Sequence, residues 1–143
     1  MATILLEVAT PDKGEVYAKD INMLICRSIC GELGILPKHA RLLTELIPHA
    51  MRIKVDGGES QLFVGGGFME VTPDKITILA DSAENPDEID VERAKAAYKR
   101  AEERINAYKG LAKSLEDNID ITRAEAALAR AKARLIVKGV PIP

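Results

Sequence analysis

Glycine and proline are distributed unevenly along the chain, and this distribution limits what the chain can fold into. Residues 1–86 contain eight of the ten glycines and five of the seven prolines, whereas residues 87–138 contain one glycine, Gly110, and no proline. Both residues are frequent in turns and disfavoured inside helices. The distribution predicts a turn-rich β domain over 1–86, a helical domain over 87–138 and a short tail over 139–143.

The first region has the spacing of short strands separated by turns. Strand-prone runs fall at 3–8, 15–17, 21–26, 51–55, 61–64, 68–71 and 75–80. Apolar and polar residues alternate in several of them, which is typical of strands with one buried and one solvated face. No helix-length crossover fits between the runs, so we expect an antiparallel β-sandwich rather than a parallel α/β fold. The glycine triplet 65–67 is expected to form a turn or a bulge rather than a phosphate-binding loop.

The second region carries two apolar stripes with the spacing of one helix face. The stripes are Val91, Ala94, Tyr98, Ala101, Ile105 and Tyr108, and then Ile121, Ala124, Leu128, Ala131 and Leu135. Asp90 and Asp120 stand at the expected N-cap positions, and 110–118 is the expected connection. The predicted fold class is therefore α+β, with an N-terminal antiparallel β-sandwich followed by a C-terminal αα-hairpin. Because alanine buries little area, we expect the hairpin to be marginally held and able to rearrange.

Charge is also divided between the two regions. The formal net charge is −2, but residues 1–84 carry eight basic and twelve acidic residues, and the segment from Ile121 onward carries five basic and one acidic. An acidic sandwich with few aromatic residues disfavours nucleic-acid binding. No apolar run approaches the length of a membrane span, so direct membrane insertion is not expected. The basic final segment favours an anionic ligand or an acidic partner.

The starts of the two predicted helices resemble each other. Segments 89–101 and 119–131 are identical at eight of thirteen positions. One interpretation is that both are simply capped, alanine-rich helix starts. The other is that Arg93, Arg100, Arg123 and Arg130 provide matched guanidinium groups on facing helices, suited to capturing phosphate or carboxylate. The sequence alone leaves both interpretations open.

Motifs for catalysis are missing from the sequence. It has no phosphate-binding loop, no zinc-protease motif and no nucleophile elbow. Cys26 and Cys30 do not have zinc or redox spacing, and His39 and His49 lack the partners of a metal site. The sequence thus favours a non-catalytic binding or regulatory subunit over an enzyme.

Four segments, at 31–40, 66–71, 78–81 and 89–94, resemble the epsilon subunit of the bacterial-type (F-type) rotary ATP synthase. The resemblance extends from Leu6 to Val137. It implies a non-catalytic central-stalk (rotor) subunit that couples proton translocation to ATP synthesis. The implied partners are the gamma subunit, the c-ring and the alpha/beta catalytic head, with a peripheral location on the cytoplasmic face of the cell membrane. It also implies that the hairpin inhibits ATP hydrolysis when it extends into the head.

The resemblance further implies particular site residues. Around the c-ring contact, or coupling loop, it points to Glu32, Lys38, His39 and Arg41. For ATP, a regulatory ligand that is bound without being hydrolysed, it points to Glu84, Ile89, Asp90, Arg93, Ala94, Arg100, Arg123, Arg130 and Arg134. For the inhibitory contact with the beta subunit it points to Arg123, Arg130, Lys132 and Arg134. No metal site is implied.

The proposed mechanism is linkage between ATP and the hairpin. ATP would bind only the folded-down hairpin and so shift the equilibrium away from the extended, inhibitory form. The alternative is a stalk subunit whose hairpin is purely mechanical, without meaningful ATP sensing. A free-standing ATP sensor is a second alternative, which copurification with gamma would distinguish.

Overall fold

The computed structural model describes residues 2–110 and 121–143. The first region forms the strands β1 (Ile4–Thr10), β2 (Gly14–Ile21), β3 (Met23–Ser28), β4 (Gly31–Ile35), β5 (Leu42–Val55), β6 (Gly58–Val71), β7 (Lys75–Ala80) and β8 (Ala83–Glu84). A short 3-10 helix, Pro86–Glu88, leads into α1 (Val91–Gly110) and α2 (Ile121–Lys138). The predicted α+β class, a β-sandwich followed by a helical hairpin, is confirmed.

The strands of the described residues pair in the order β2-β1-β7-β6-β5-β3-β4, with β8 added to β6. The neighbours are antiparallel except for β1 and β7, which run parallel. β2 also packs on β5, so the sheet encloses a core of aliphatic side chains contributed mainly by β1, β3, β5, β6 and β7. Leu6, Val8, Leu24, Met51 and Ile78 in this core are fully buried.

Several predicted strand bounds were wrong. The long strand β5 begins at Leu42, nine residues before the predicted run at 51–55, and β4 lies where only a loop was predicted. Gly31, Gly34, Pro37 and Pro48 lower the local β-propensity of this part of the chain. These strands form because their neighbours pair with them, which is a tertiary effect that local propensity does not report.

The glycine triplet 65–67, for which a turn or a bulge was predicted, does not form a turn. It continues β6, so the two predicted strands around it are one. Gly66 and Gly67 have φ values of 101° and 134°, and a Cβ on Gly67 would collide with the carbonyl oxygen of Leu79. β6 exchanges its partner here from β7 to β8, and the backbones approach too closely for any side chain.

The hairpin follows the predicted pattern except at the end of α1, where Tyr108 of the predicted stripe is exposed. Ala94 and Ala101 of α1, and Ala124, Ala131 and Leu135 of α2, are buried as α1 and α2 pack along each other. The prediction of Asp90 as an N-cap is confirmed, because its Oδ1 accepts a hydrogen bond from the Arg93 amide at 3.1 Å. Asp120 and the predicted connection beyond Gly110 lie outside the described residues.

A second, smaller apolar cluster fixes α2 to the sandwich. Ala133 and Val137 of α2 pack with Phe63 of β6 and with Ile89, which follows the 3-10 helix. Ala50 of β5 packs against the same cluster. The hairpin therefore lies folded down on the sandwich, and this packing leaves clefts between the helices and the strands.

Candidate functional site

A cleft of about 340 Å³ lies where α1, α2 and the end of the sandwich meet. Its wall contains seven charged side chains and three alanines. They are Glu84, Glu88, Asp90, Arg93, Ala94, Ala97, Arg100, Ala127, Arg130 and Arg134. Known ligand sites occupy roughly 300–1,000 Å³, so the volume suits one small ligand that stays partly in solvent.

Four arginines from the two helices line this cleft, and three of them share one property. Arg93 and Arg100 stand two turns apart on α1, and Arg130 stands on α2. Within residues 2–110 and 121–143, none of these three forms an ion pair. Guanidinium groups without carboxylate partners retain their donors for a planar or tetrahedral anion. This triplet is the feature of the cleft that favours an anionic ligand.

The fourth arginine is engaged differently. Arg134 Nε donates to both carboxylate oxygens of Glu84, at 3.1 and 3.3 Å, and Nη2 lies 3.0 Å from Glu84 Oε1. The guanidinium carbon also lies 4.3 Å from the centre of the Phe63 ring. We call these three residues the latch, because Arg134 belongs to α2 whereas Glu84 and Phe63 belong to the sandwich. Its bonds hold α2 to the sandwich.

The carboxylates at the rim are also accounted for. Asp90 caps α1, and Glu88 Oε2 lies 3.1 Å from Lys13 Nζ. The Glu88 side chain also accepts bonds from Asn85, and these bonds together with Lys13 lower the pKa of Glu88 below its usual value. The acidic side chains of the cleft thus have cationic or amide partners of their own, and they leave the arginine triplet uncompensated.

Most of the predicted ATP-site residues meet in this cleft, but two do not line it. Ile89 is buried in the apolar cluster beneath α2. Arg123 stands on α2 outside the cleft lining. Of the residues predicted for the beta-subunit contact, Arg130 and Arg134 face this cleft. Lys132 lines a different one, about 470 Å³ in volume, between α2 and strands β3 to β5.

Four contributors were missed by the sequence reasoning. Glu88, Ala97 and Ala127 line the cleft, and Phe63 supports Arg134. Helical spacing could have found Ala97, which follows Ala94 by three residues, and Ala127, which precedes Arg130 by three. No local signal connects Phe63 or Glu84 with Arg134, because the pairs come together only in the folded chain.

The predicted coupling-loop residues are divided between a strand and a connection. Glu32 belongs to β4 rather than to a loop and pairs with Arg27 at 3.2 Å. Lys38, His39 and Arg41 lie in the connection to β5, where Lys38 has a φ of 61°. The Lys38 amide donates to the carbonyl of Pro73, which fastens this connection to the turn before β7.

A patch of exposed apolar side chains covers the outer face of the sheet. Leu43, Phe68 and Leu79 are 72%, 56% and 62% exposed. Phe68 and Leu79 are direct cross-strand neighbours, and Leu43 is two positions along β5 from the residue opposite Phe68. Contiguous exposed apolar side chains on a soluble domain mark interaction surfaces. We call these three residues the outer patch.

Neither α1 nor α2, as far as the chain is described, is apolar enough over its length to cross a membrane.

The fold, a β-sandwich carrying a folded helical hairpin, defines a class of subunits in rotary ATP synthases. Residues 3–86 match the family "ATP synthase, Delta/Epsilon chain, beta-sandwich domain", and residues 87–139 match "ATP synthase, Delta/Epsilon chain, long alpha-helix domain". The chain belongs to this family, within the epsilon subunits of the F-type enzyme. The predictions of family and of a non-catalytic subunit are confirmed by these matches and by the relatives below.

Relatives named "ATP synthase epsilon chain" cover most of the chain. The protein of Alkalihalophilus pseudofirmus is 52% identical over 109 residues, which are 76% of this chain and 81% of the relative. The protein of Bacillus subtilis is 48% identical over 107 residues, 75% of this chain and 80% of the relative. Among solved structures, a chain of the Euglena gracilis mitochondrial ATP synthase (OSCP/F1/c-ring, rotational state 1) has a TM-score of 0.74. It is 22% identical and the match covers 93% of this chain and 79% of that chain. This last likeness supports the fold.

Proposed function

We propose that this subunit of the ATP synthase central stalk couples proton translocation to ATP synthesis and inhibits ATP hydrolysis through its C-terminal helices. ATP, bound and not hydrolysed, would favour the folded-down hairpin. The observation that carries the nucleotide part is the arginine triplet, in which Arg93, Arg100 and Arg130 converge from two helices without ion-pair partners among the described residues.

We propose different roles for the site residues. Arg93, Arg100 and Arg130 would hold the phosphates, because Arg134 is occupied by Glu84. The cleft also has an apolar part, against which the flat face of a base would pack. It is formed by the small side chains of Ala94, Ala97 and Ala127.

Linkage connects this site to the position of the hairpin. The cleft exists only while α1 and α2 lie against each other and against the sandwich, so a ligand that binds there stabilises the folded-down form. At a concentration 100 times its Kd, a ligand adds about 2.7 kcal/mol to the state that binds it. When ATP is scarce this contribution is lost, and the basic α2 becomes available to acidic residues of the beta subunit through Arg123, Arg130, Lys132 and Arg134.

Isothermal titration calorimetry of the isolated full-length chain tests nucleotide binding. We expect one ATP per chain. Arg100→Ala should weaken binding about 10- to 100-fold, since a hydrogen bond to a charged group contributes roughly 1.5–3 kcal/mol. Arg104→Ala removes the same charge from the same helix outside the cleft and is the matched control. Absence of heat at millimolar ATP would leave a stalk subunit whose hairpin is purely mechanical.

Inhibition needs the assembled complex. We expect a chain that ends at Glu88, reconstituted into the ATP synthase, to raise ATP hydrolysis relative to the full-length chain while assembly is retained. Equal hydrolysis by the two complexes would contradict the inhibitory role of the hairpin and would leave the calorimetric result unaffected.

The outer patch is our candidate surface for the gamma subunit, and the β4–β5 connection is our candidate for the c-ring. Gamma would cover Leu43, Phe68 and Leu79, while Glu32, Lys38, His39 and Arg41 would face the c-ring. Such docking would place the subunit peripherally on the cytoplasmic face of the cell membrane. Phe68→Ser should abolish copurification with gamma, whereas Ile142→Ser, which makes an exposed tail residue polar, should not. Copurification of both variants would refute this surface.

A further inference from the structure

The second cleft, between α2 and strands β3 to β5, has His49 at its wall, and this histidine has no part in the proposed nucleotide site. His49 is 8% exposed. It lies where the β3–β5 ladder is interrupted: Ile25 pairs with Arg52 and Ser28 pairs with Leu46, so β5 has additional residues opposite Cys26 and Arg27. The side chain of His49 bridges this irregularity.

Both ring nitrogens of His49 have hydrogen-bond partners. Nε2 accepts from the Arg27 amide at 3.2 Å, so it must carry a lone pair rather than a proton. Nδ1 lies 2.6 Å from the carbonyl oxygen of Ile47 and must therefore be the protonated nitrogen. These bonds select the neutral imidazole in one tautomer. A second proton, on Nε2, would place a donor against the Arg27 donor.

The charged groups around the cleft also oppose a protonated ring. Arg27 on β3, Arg52 on β5 and Lys132 on α2 line it, against Glu32 on β4. Glu32 is already paired with Arg27, and Arg52 is paired with Glu59. Burial lowers the pKa of His49 below its usual value, the bond to Ile47 partly offsets this, and the charge of Arg27 lowers the pKa further.

We propose that His49 is a pH-sensitive contact between β3 and β5. Proton uptake by its ring breaks the hydrogen bond from the Arg27 amide and weakens the part of the sheet on which α2 packs. This part of the sheet and α2 border the same cleft, which is also lined by Ala129, Ala133 and Ile136 of α2. Loss of this bond separates β3 from β5 at the interruption and loosens the docking of α2. The effect is independent of nucleotide.

The pH dependence has a definite sign. Because the pKa is lower in the folded state than in the unfolded chain, the unfolded chain binds more protons below about pH 6.5. The contribution of the neutral His49 ring to the free energy of unfolding is fully present above that pH. This contribution is lost as the pH falls from about 6.5 toward the folded-state pKa.

The test uses the only two histidines of the chain. Urea unfolding of the full-length protein at pH 7.5 and pH 5.5 should show a lower midpoint at pH 5.5 for the wild type and for His39→Gln. His49→Gln, which keeps an acceptor and a donor but does not titrate, should lose most of this difference. An unchanged pH difference in His49→Gln would overturn the proposal.

A second measurement needs no variant. In an NMR titration of the wild type, we expect the His49 ring to titrate at a lower pH than an ordinary histidine, whose pKa is about 6.5. The Arg27 amide resonance should shift, and hydrogen exchange at Ala129 and Ala133 should accelerate, with the same midpoint as His49. If His49 titrates at the ordinary histidine value, or if these amides do not respond, the proposal is wrong.

Discussion

The latch offers the sharpest test of how the hairpin is held. Arg134→Ala removes the three contacts to Glu84, at 3.0 to 3.3 Å, and the stacking on Phe63 at 4.3 Å. A hydrogen-bonded charged pair contributes roughly 1.5–3 kcal/mol, and a cation–π contact about 0.5–2 kcal/mol. Since the two side chains are 26% and 21% exposed, solvent screening favours the lower ends of these ranges. We expect a loss of about 2–3 kcal/mol in the free energy that docks α2.

Hydrogen exchange of the α2 amides measures this free energy site by site. The exchange rates of docked α2 amides should rise about 30- to 150-fold in Arg134→Ala. Lys132→Ala, two residues away on the same helix, is the control, because Lys132 is exposed and has no ion pair within the described chain. If Arg134→Ala accelerates exchange no more than Lys132→Ala does, the latch does not hold the hairpin.

Three further predictions concern packing and reactivity. Gly67→Ala should lower the free energy of unfolding by about 2–4 kcal/mol because of the collision with Leu79 and the positive φ, whereas Gly58→Ala should change it little; urea unfolding measures both. Ala131→Leu should overpack the contact between α1 and α2, lower the free energy of unfolding by about 1–3 kcal/mol and weaken ATP binding in calorimetry. Maleimide at neutral pH should label Cys30 but spare Cys26, whose thiol has a pKa raised to about 12 by burial and by Glu32; labelling of both, by mass spectrometry, would contradict this.

Much of the architecture could be predicted from local patterns. The exclusion of glycine and proline from residues 87–138 predicts the helices, and alternation over 75–80 predicts β7. The paired sequence stripes predict which alanines are buried between α1 and α2. These features follow from periodicity and turn chemistry, which act over a few residues and can be read directly from the sequence.

The remainder depends on residues distant in the chain. Arg134 meets Glu84 across 50 positions, and Phe63 approaches the same guanidinium from another strand. The role of His49 depends on a register shift between β3 and β5 that no local motif reports. Consequently the resemblance pointed to these arginines together, but it could not distinguish the three without an ion pair among the described residues from Arg134, which pairs with Glu84.

We propose that ATP holds the hairpin down on the sandwich in the assembled ATP synthase. Energy transfer between two dyes measures the distance between α2 and the sandwich. The dyes are attached at Glu15→Cys on β2 and Glu125→Cys on α2, both of which are exposed positions. Cys30→Ser removes the exposed thiol, and buried Cys26 is left in place. In the assembled ATP synthase we predict high energy transfer at millimolar ATP and lower energy transfer when ATP is depleted. Adding ATP back should restore the high transfer. Transfer that does not depend on ATP would show that ATP does not hold the hairpin down.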